Sequence, residues 1–246
     1  MNRLTKELIS LHNQKGLRAD QWFSLMIDDV LAGFGIKLTE IPAEPVREVL
    51  FNLTGMYAQE VLKAEPFTDL LSTVYMDMGS NYQRSGMGQF FTPESVCRLL
   101  ARMTIGSDFD HLAERKRLIR MQEPAVGAGG MVLAFLAEIL ERQGPEAIKW
   151  ISVTGIDLDR MCCRLFPCQV LSSLLVNRIE LGELISYHGN TLGDPTQWST
   201  VCHYSRRDLP EEIHEADSPQ VKKAVAEAVA NPVTSSLSQL DQMQLF

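Results

Sequence analysis

Along the first third of the chain, apolar positions recur at helical spacing. Leu4, Leu8 and Leu11 form one stripe, and Trp22, Leu25, Met26, Val30 and Leu31 a second. Pro42 and Pro45 precede a third segment, residues 46–64, with Val46, Val49, Leu50, Leu53 and Tyr57 on one face. Pro66 opens a fourth, which carries Leu70, Leu71, Val74, Tyr75 and Met78. This part lacks the alternation of a strand, so residues 1–87 are expected to form an all-helical N-terminal region.

After Phe91 the pattern changes to strand and helix in turn. Thr92-Pro93-Glu94-Ser95 reads as a capped start, with Thr92 as N-cap and Pro93 in the first position of a helix that runs through Met103. A short strand over about 117–122 leads into a glycine-rich turn, and a helix over about 130–142 follows. A second strand, 150–156, ends at Asp157; residues 159–176 are helical; a third strand, 183–187, ends at His188-Gly189-Asn190-Thr191-Leu192. This order describes one half of a doubly wound parallel sheet. The expected class is therefore α/β, with a shortened Rossmann-like sheet over residues 88–200 and a C-terminal region over 201–246. In the last region Val201-Cys202-His203-Tyr204 is at best one short strand. Ser218-Pro219 caps a helix through Ala230, Pro232 stops it, and a polar tail runs to Leu245-Phe246.

Composition narrows the function classes. A chain of 246 residues, 45% apolar and 22% charged, is ordinary for a soluble globular protein. No signal peptide and no bilayer-spanning stretch is visible, so a cytoplasmic protein without membrane attachment is expected. The odd count of five cysteines, three of them clustered in a predicted helix, suits buried thiols rather than disulfides or a metal site. The net charge of −8 opposes direct binding to DNA, where phosphate contacts dominate. Arg115, Lys116, Arg117 and Arg120 form the densest basic cluster and Arg206-Arg207 a smaller one. Each reads as a solvated surface or as a local phosphate contact.

Two motifs carry the chemistry. They are Gly88-Gln89-Phe90-Phe91-Thr92-Pro93 and Glu123-Pro124-Ala125-Val126-Gly127-Ala128-Gly129-Gly130. Glycines in the second let the backbone approach a ligand and turn tightly into a helix N-terminus. With Gly155-Ile156-Asp157 and His188-Gly189-Asn190-Thr191-Leu192 they stand in an order that resembles adenine-N6 DNA methyltransferases, especially the modification subunits of type I restriction systems. The likeness covers about residues 65–195. It implies a methyltransferase fold with S-adenosylmethionine as cofactor. Phe91, Thr92 and Pro93 would line the methionine pocket. Glu123, Ala125, Gly127 and Gly129 would surround the amino-acid moiety, Asp157 would hold the ribose and Asn190 the adenine. Glu123 and Asn190 each stand where the family has Asp.

The family's catalytic tetrapeptide, Asp/Asn/Ser-Pro-Pro-Tyr/Phe, receives a flipped adenine. No Pro-Pro dipeptide occurs in these 246 residues. The nearest substitutes are Asp194-Pro195-Thr196-Gln197 and Asn231-Pro232-Val233-Thr234, which lack the second proline and the aromatic residue. Asn231 is the remaining catalytic candidate, although its place behind a helix suits a helix stop. The expectation is a protein that binds S-adenosylmethionine and is inactive alone or completed by a partner, through which it would reach DNA. The alternative is a non-enzymatic methyltransferase-like protein acting on a restriction-modification or replication component. An apolar first-strand edge, open unless Val201 to Tyr204 or the helices cover it, points to a homo-oligomer or a partner protein. Gln242-Met243-Gln244-Leu245-Phe246 resembles the peptides that dock on a sliding clamp, with packing of Leu245-Phe246 on its own domain as the alternative.

Overall fold

The computed structural model describes residues 3–36, 42–78 and 91–206. The chain starts with helices α1 (Arg3–Ser10), α2 (Ala19–Gly33), α3 (Val46–Lys63) and α4 (Ser72–Met78). Their apolar stripes meet in one core: Leu4, Leu8, Trp22, Met26, Leu31, Leu50 and Leu53 are all buried. The indole of Trp22 donates to the carbonyl of Leu11 at 3.1 Å, so its polar atom is satisfied inside that core.

The fourth helix begins six residues later than Pro66 suggests, and the reason is tertiary. Phe67 has φ +61°, a left-handed conformation that interrupts a helix. The amides of Leu70 and Leu71 donate to Oε1 of Gln169, at 2.7 and 3.0 Å, rather than along a helix. Asp69 Oδ1 accepts from the Ser72 amide at 3.0 Å and turns the chain into α4.

The second part consists of α5 (Glu94–Thr104), α6 (Leu112–Arg115), β1 (Ile119–Glu123), α7 (Gly130–Gln143), α8 (Pro145–Ile148), β2 (Ile151–Asp157), α9 (Cys162–Asn177), β3 (Glu183–His188) and β4 (Ser199–Ser205). The α/β class holds, with strand order β1-β2-β3-β4. β1, β2 and β3 are parallel, and α9 packs on β2 and β3 while reaching α2 and α3. Arg164 of α9 and Asp28 of α2 join the two parts in an ion pair of 2.7 Å, with both side chains largely withdrawn from solvent.

Three expectations change. Thr92 does not cap α5: Pro93 holds the cap position without a side-chain cap bond, and its carbonyl accepts from the Val96 and Cys97 amides. Residues 201–204 do not cover β1; they belong to β4, antiparallel to β3. The connection over residues 189–198 is short for a parallel crossover, which needs a dozen residues or more, so the chain folds straight back beside β3. Trp198 fixes that reversal by donating to the Asn190 carbonyl at 2.9 Å and lying 5.8 Å from the Tyr187 ring. Finally, β1 is not a uniformly apolar edge. Its burial alternates, with Arg120 and Gln122 exposed and Ile119 and Met121 packed on the core. Among the described residues its sheet neighbour is β2.

All five cysteines are buried free thiols, and burial pushes Cys163, Cys168 and Cys202 up to about 12. Among the described residues no group of three or more His, Cys, Asp or Glu could hold a metal ion, and no helix is long and apolar enough to cross a membrane. Gly88 to Phe90, Arg207, the helix expected over 218–230, Asn231 and Leu245-Phe246 lie outside the described residues.

Candidate functional site

The glycine turn connects the C-terminal end of β1 to the N-terminus of α7. The Val126 amide donates to the Ile156 carbonyl at 2.9 Å and holds the turn against β2. Gly127 has φ +55° and Gly129 φ +101°, both in the left-handed region where glycine is favoured. A Cβ on Gly127 would stand 3.1 Å from the Phe91 ring, and one on Gly129 would stand 3.0 Å from the Phe166 ring. A side chain at either place would push these walls apart.

Asp157, at the end of β2, closes the turn. Its Oδ2 accepts from the Gly127 amide and its Oδ1 from the Asp159 amide, each at 2.8 Å. Each carboxylate oxygen retains acceptor capacity for a further donor. Tyr75 of α4 adds a second layer: its hydroxyl donates to Oδ2 of Asp159, and its ring lies 5.8 Å from that of Phe91. Burial and this bond to a carboxylate push the Tyr75 phenol well above its ordinary range, so it stays a neutral donor.

Around these groups is a cavity of about 260 Å³. Of the residues expected from the sequence, Phe91, Thr92, Ala125, Gly127 and Asp157 line it. Pro93, Glu123, Gly129 and Asn190 are not part of that lining. Pro93 holds the cap position of α5, Glu123 Oε1 accepts from the Ala125 amide at 3.2 Å, and Gly129 lies against Phe166. Asn190 is exposed, with its Oδ1 accepting from the Leu192 amide at 3.0 Å. Its neighbour Thr191 donates to the Pro124 carbonyl, which ties the β3 turn to the glycine turn. Asp194 Oδ1 accepts from the Thr196 amide at 2.9 Å, so Asp194-Pro195 is the cap of a short 3-10 turn.

Sequence reading missed Asp69, Ser72, Cys97 and Met131, which also line the cavity. It also missed Gln169, which is 3% exposed. Gln169 Nε2 donates to Asp69 Oδ1 at 3.0 Å and to the Ala128 carbonyl at 2.9 Å, while its Oε1 serves Leu70 and Leu71. The Asp-x-x-Ser spacing of Asp69 and Ser72 was a usable signal for a turn into a helix. Nothing local marks Gln169.

The described lining is acidic rather than basic. Among the described residues lining the cavity, two are carboxylates, Asp69 and Asp157, and none is Lys, Arg or His. Such a site suits a cationic, donor-rich molecule and disfavours a phosphate, despite the adjacent helix N-terminus. Arg115, Lys116 and Arg117 are exposed at the other end of β1, away from the turn.

A family model described as N-6 DNA methylase matches residues 67–241. No curated protein matches the chain. One matching solved structure, from Listeria monocytogenes, is provisionally assigned as a class I S-adenosylmethionine-dependent methyltransferase. It shares 14% identity over 78% of this chain and 55% of that one, with a TM-score of 0.40. This chain thus spans about half the length of that protein.

Proposed function

The chain belongs to the N-6 DNA methylase family, and we propose that it holds S-adenosylmethionine between the glycine turn and Asp157 and needs a partner to methylate adenine in DNA. The observation that carries this reading is Asp157. Its carboxylate is oriented by two backbone amides at the wall of a cavity whose described lining carries no cationic side chain. S-adenosylmethionine is the cofactor this chemistry fits. Its sulfonium and ammonium groups outweigh its one carboxylate, and its ribose offers two hydroxyl donors to Asp157. On this reading the methionine carboxylate meets the N-terminus of α7, in a cavity that Phe91 and Gly127 line. When bound, the cofactor supplies a methyl group activated on sulfur.

Partner dependence rests on the acceptor side. No Pro-Pro loop occurs in these residues, and Asp194-Pro195 serves a turn. The alternative, a methyltransferase-like binding protein acting on a restriction-modification or replication component, uses the same cavity without methyl transfer. Calorimetric titration tests the cofactor. Wild-type protein should bind S-adenosylmethionine, and Asp157→Ala should weaken binding by about 1.5–3 kcal/mol through lost charge-assisted hydrogen bonds. Absence of heat at millimolar ligand removes the reading. Labelled methyl should not enter duplex DNA with this chain alone. Incorporation that disappears in Gly127→Trp would show that no partner is needed.

A further inference from the structure

We propose that Asp69 receives the α-ammonium group of the bound cofactor, so that the helical region supplies the acid at the amino-acid end of the site. This rests on the S-adenosylmethionine reading above. Among the described residues that line the cavity, two are carboxylates, at opposite ends of the glycine turn. Asp157 is on Gly127, and Asp69 borders Gly130, where its Oδ2 lies 3.3 Å from the position a Cβ would take.

The two oxygens of Asp69 have different tasks. Oδ1 accepts from the Ser72 amide and from Gln169 Nε2, both at 3.0 Å, and is structurally committed. Oδ2 accepts from the Ser72 hydroxyl, which leaves it a lone pair for another donor. Gly130 is the first residue of α7, so Oδ2 stands beside a helix N-terminus. An α-amino acid carries its anion and its cation on one carbon. The helix N-terminus meets the carboxylate, and Asp69 beside it meets the ammonium. The acid within the turn, Glu123, is turned to the Ala125 amide and does not line the cavity. Gly130 is matched to this arrangement, because any larger residue would crowd Oδ2.

The test is calorimetric titration of wild type, Asp69→Asn and Asp69→Ser with S-adenosylhomocysteine and with its desamino analogue. Asn keeps the Oδ1 bonds, and Ser keeps an acceptor for the Ser72 amide, so either variant can retain the fold. Wild type should bind S-adenosylhomocysteine about tenfold more tightly than the desamino compound, the scale of one charge-assisted hydrogen bond. Both variants should lose that preference and bind the desamino compound as wild type does. Equal weakening of both ligands, or a preference that survives in the variants, overturns the assignment. Wild type binding the two compounds equally overturns this inference alone, whereas wild type binding neither removes the cofactor reading with it.

Discussion

Gln169 has more structural tasks than any residue that the sequence singled out. Both its donors and both its acceptor positions are used, and its partners are the Leu70 and Leu71 amides, Asp69 and the Ala128 carbonyl. Gln169→Leu would keep most of the volume and leave three buried or half-buried backbone groups without partners. The expected loss is about 2–4 kcal/mol, read from urea unfolding, together with weaker cofactor binding because Asp69 and the turn lose their common support. A loss below about 1 kcal/mol would mean that water replaces the amide. The contrast with Asp157 shows why one was legible and the other not. Asp157 follows an apolar strand, so its place at a strand's C-terminal end is written in its neighbours. Gln169 meets Asp69 and its neighbours across 98 to 100 residues of chain, and no local pattern encodes that.

Among the elements, those with a long period of apolar residues were legible, and those set by a distant partner were not. The helices α2, α3 and α7 and the strands β2 and β3 lie within a few residues of where periodicity puts them. The start of α4 was displaced by hydrogen bonds from α9, and the side on which β4 pairs was decided by a short connection that local propensity does not describe. In α5 a different mismatch stands out. Val96, Leu99, Leu100 and Met103 recur at helical spacing yet are 40 to 73% exposed, while Cys97 and Ala101 face the core.

At the scale of the whole molecule, the described helical and sheet parts are packed against each other. One apolar core extends from Leu4 to Cys202, and Asp28–Arg164, Tyr75–Asp159 and Gln169 cross the boundary that the sequence pattern suggested. The change of periodicity near Phe91 was therefore a true change of architecture, although the cavity draws its lining from both sides of it. Global stability should depend on a charge within the sheet. Glu183 is 1% exposed and accepts from the Ser152 hydroxyl at 2.7 Å and from His203 Nε2 at 3.2 Å. Burial acts to raise its pKa, but the bonds from His203 and Ser152 and the charges of His203 and Arg120 outweigh it. The carboxyl is held below its ordinary 4.5. A depressed folded value means that Glu183 contributes stability above the unfolded pKa, and that this contribution disappears as the pH falls below 4.5 through the folded value. Glu183→Gln removes the charge while keeping an acceptor, and should cost about 1–2 kcal/mol at neutral pH. Urea midpoints measured near neutrality, near pH 5 and in stronger acid should show the gap between wild type and variant largest at the first two and closing at the third. A gap that stays constant into acid would mean that Glu183 is already protonated in the folded protein, and that the pairing with His203 contributes no charge.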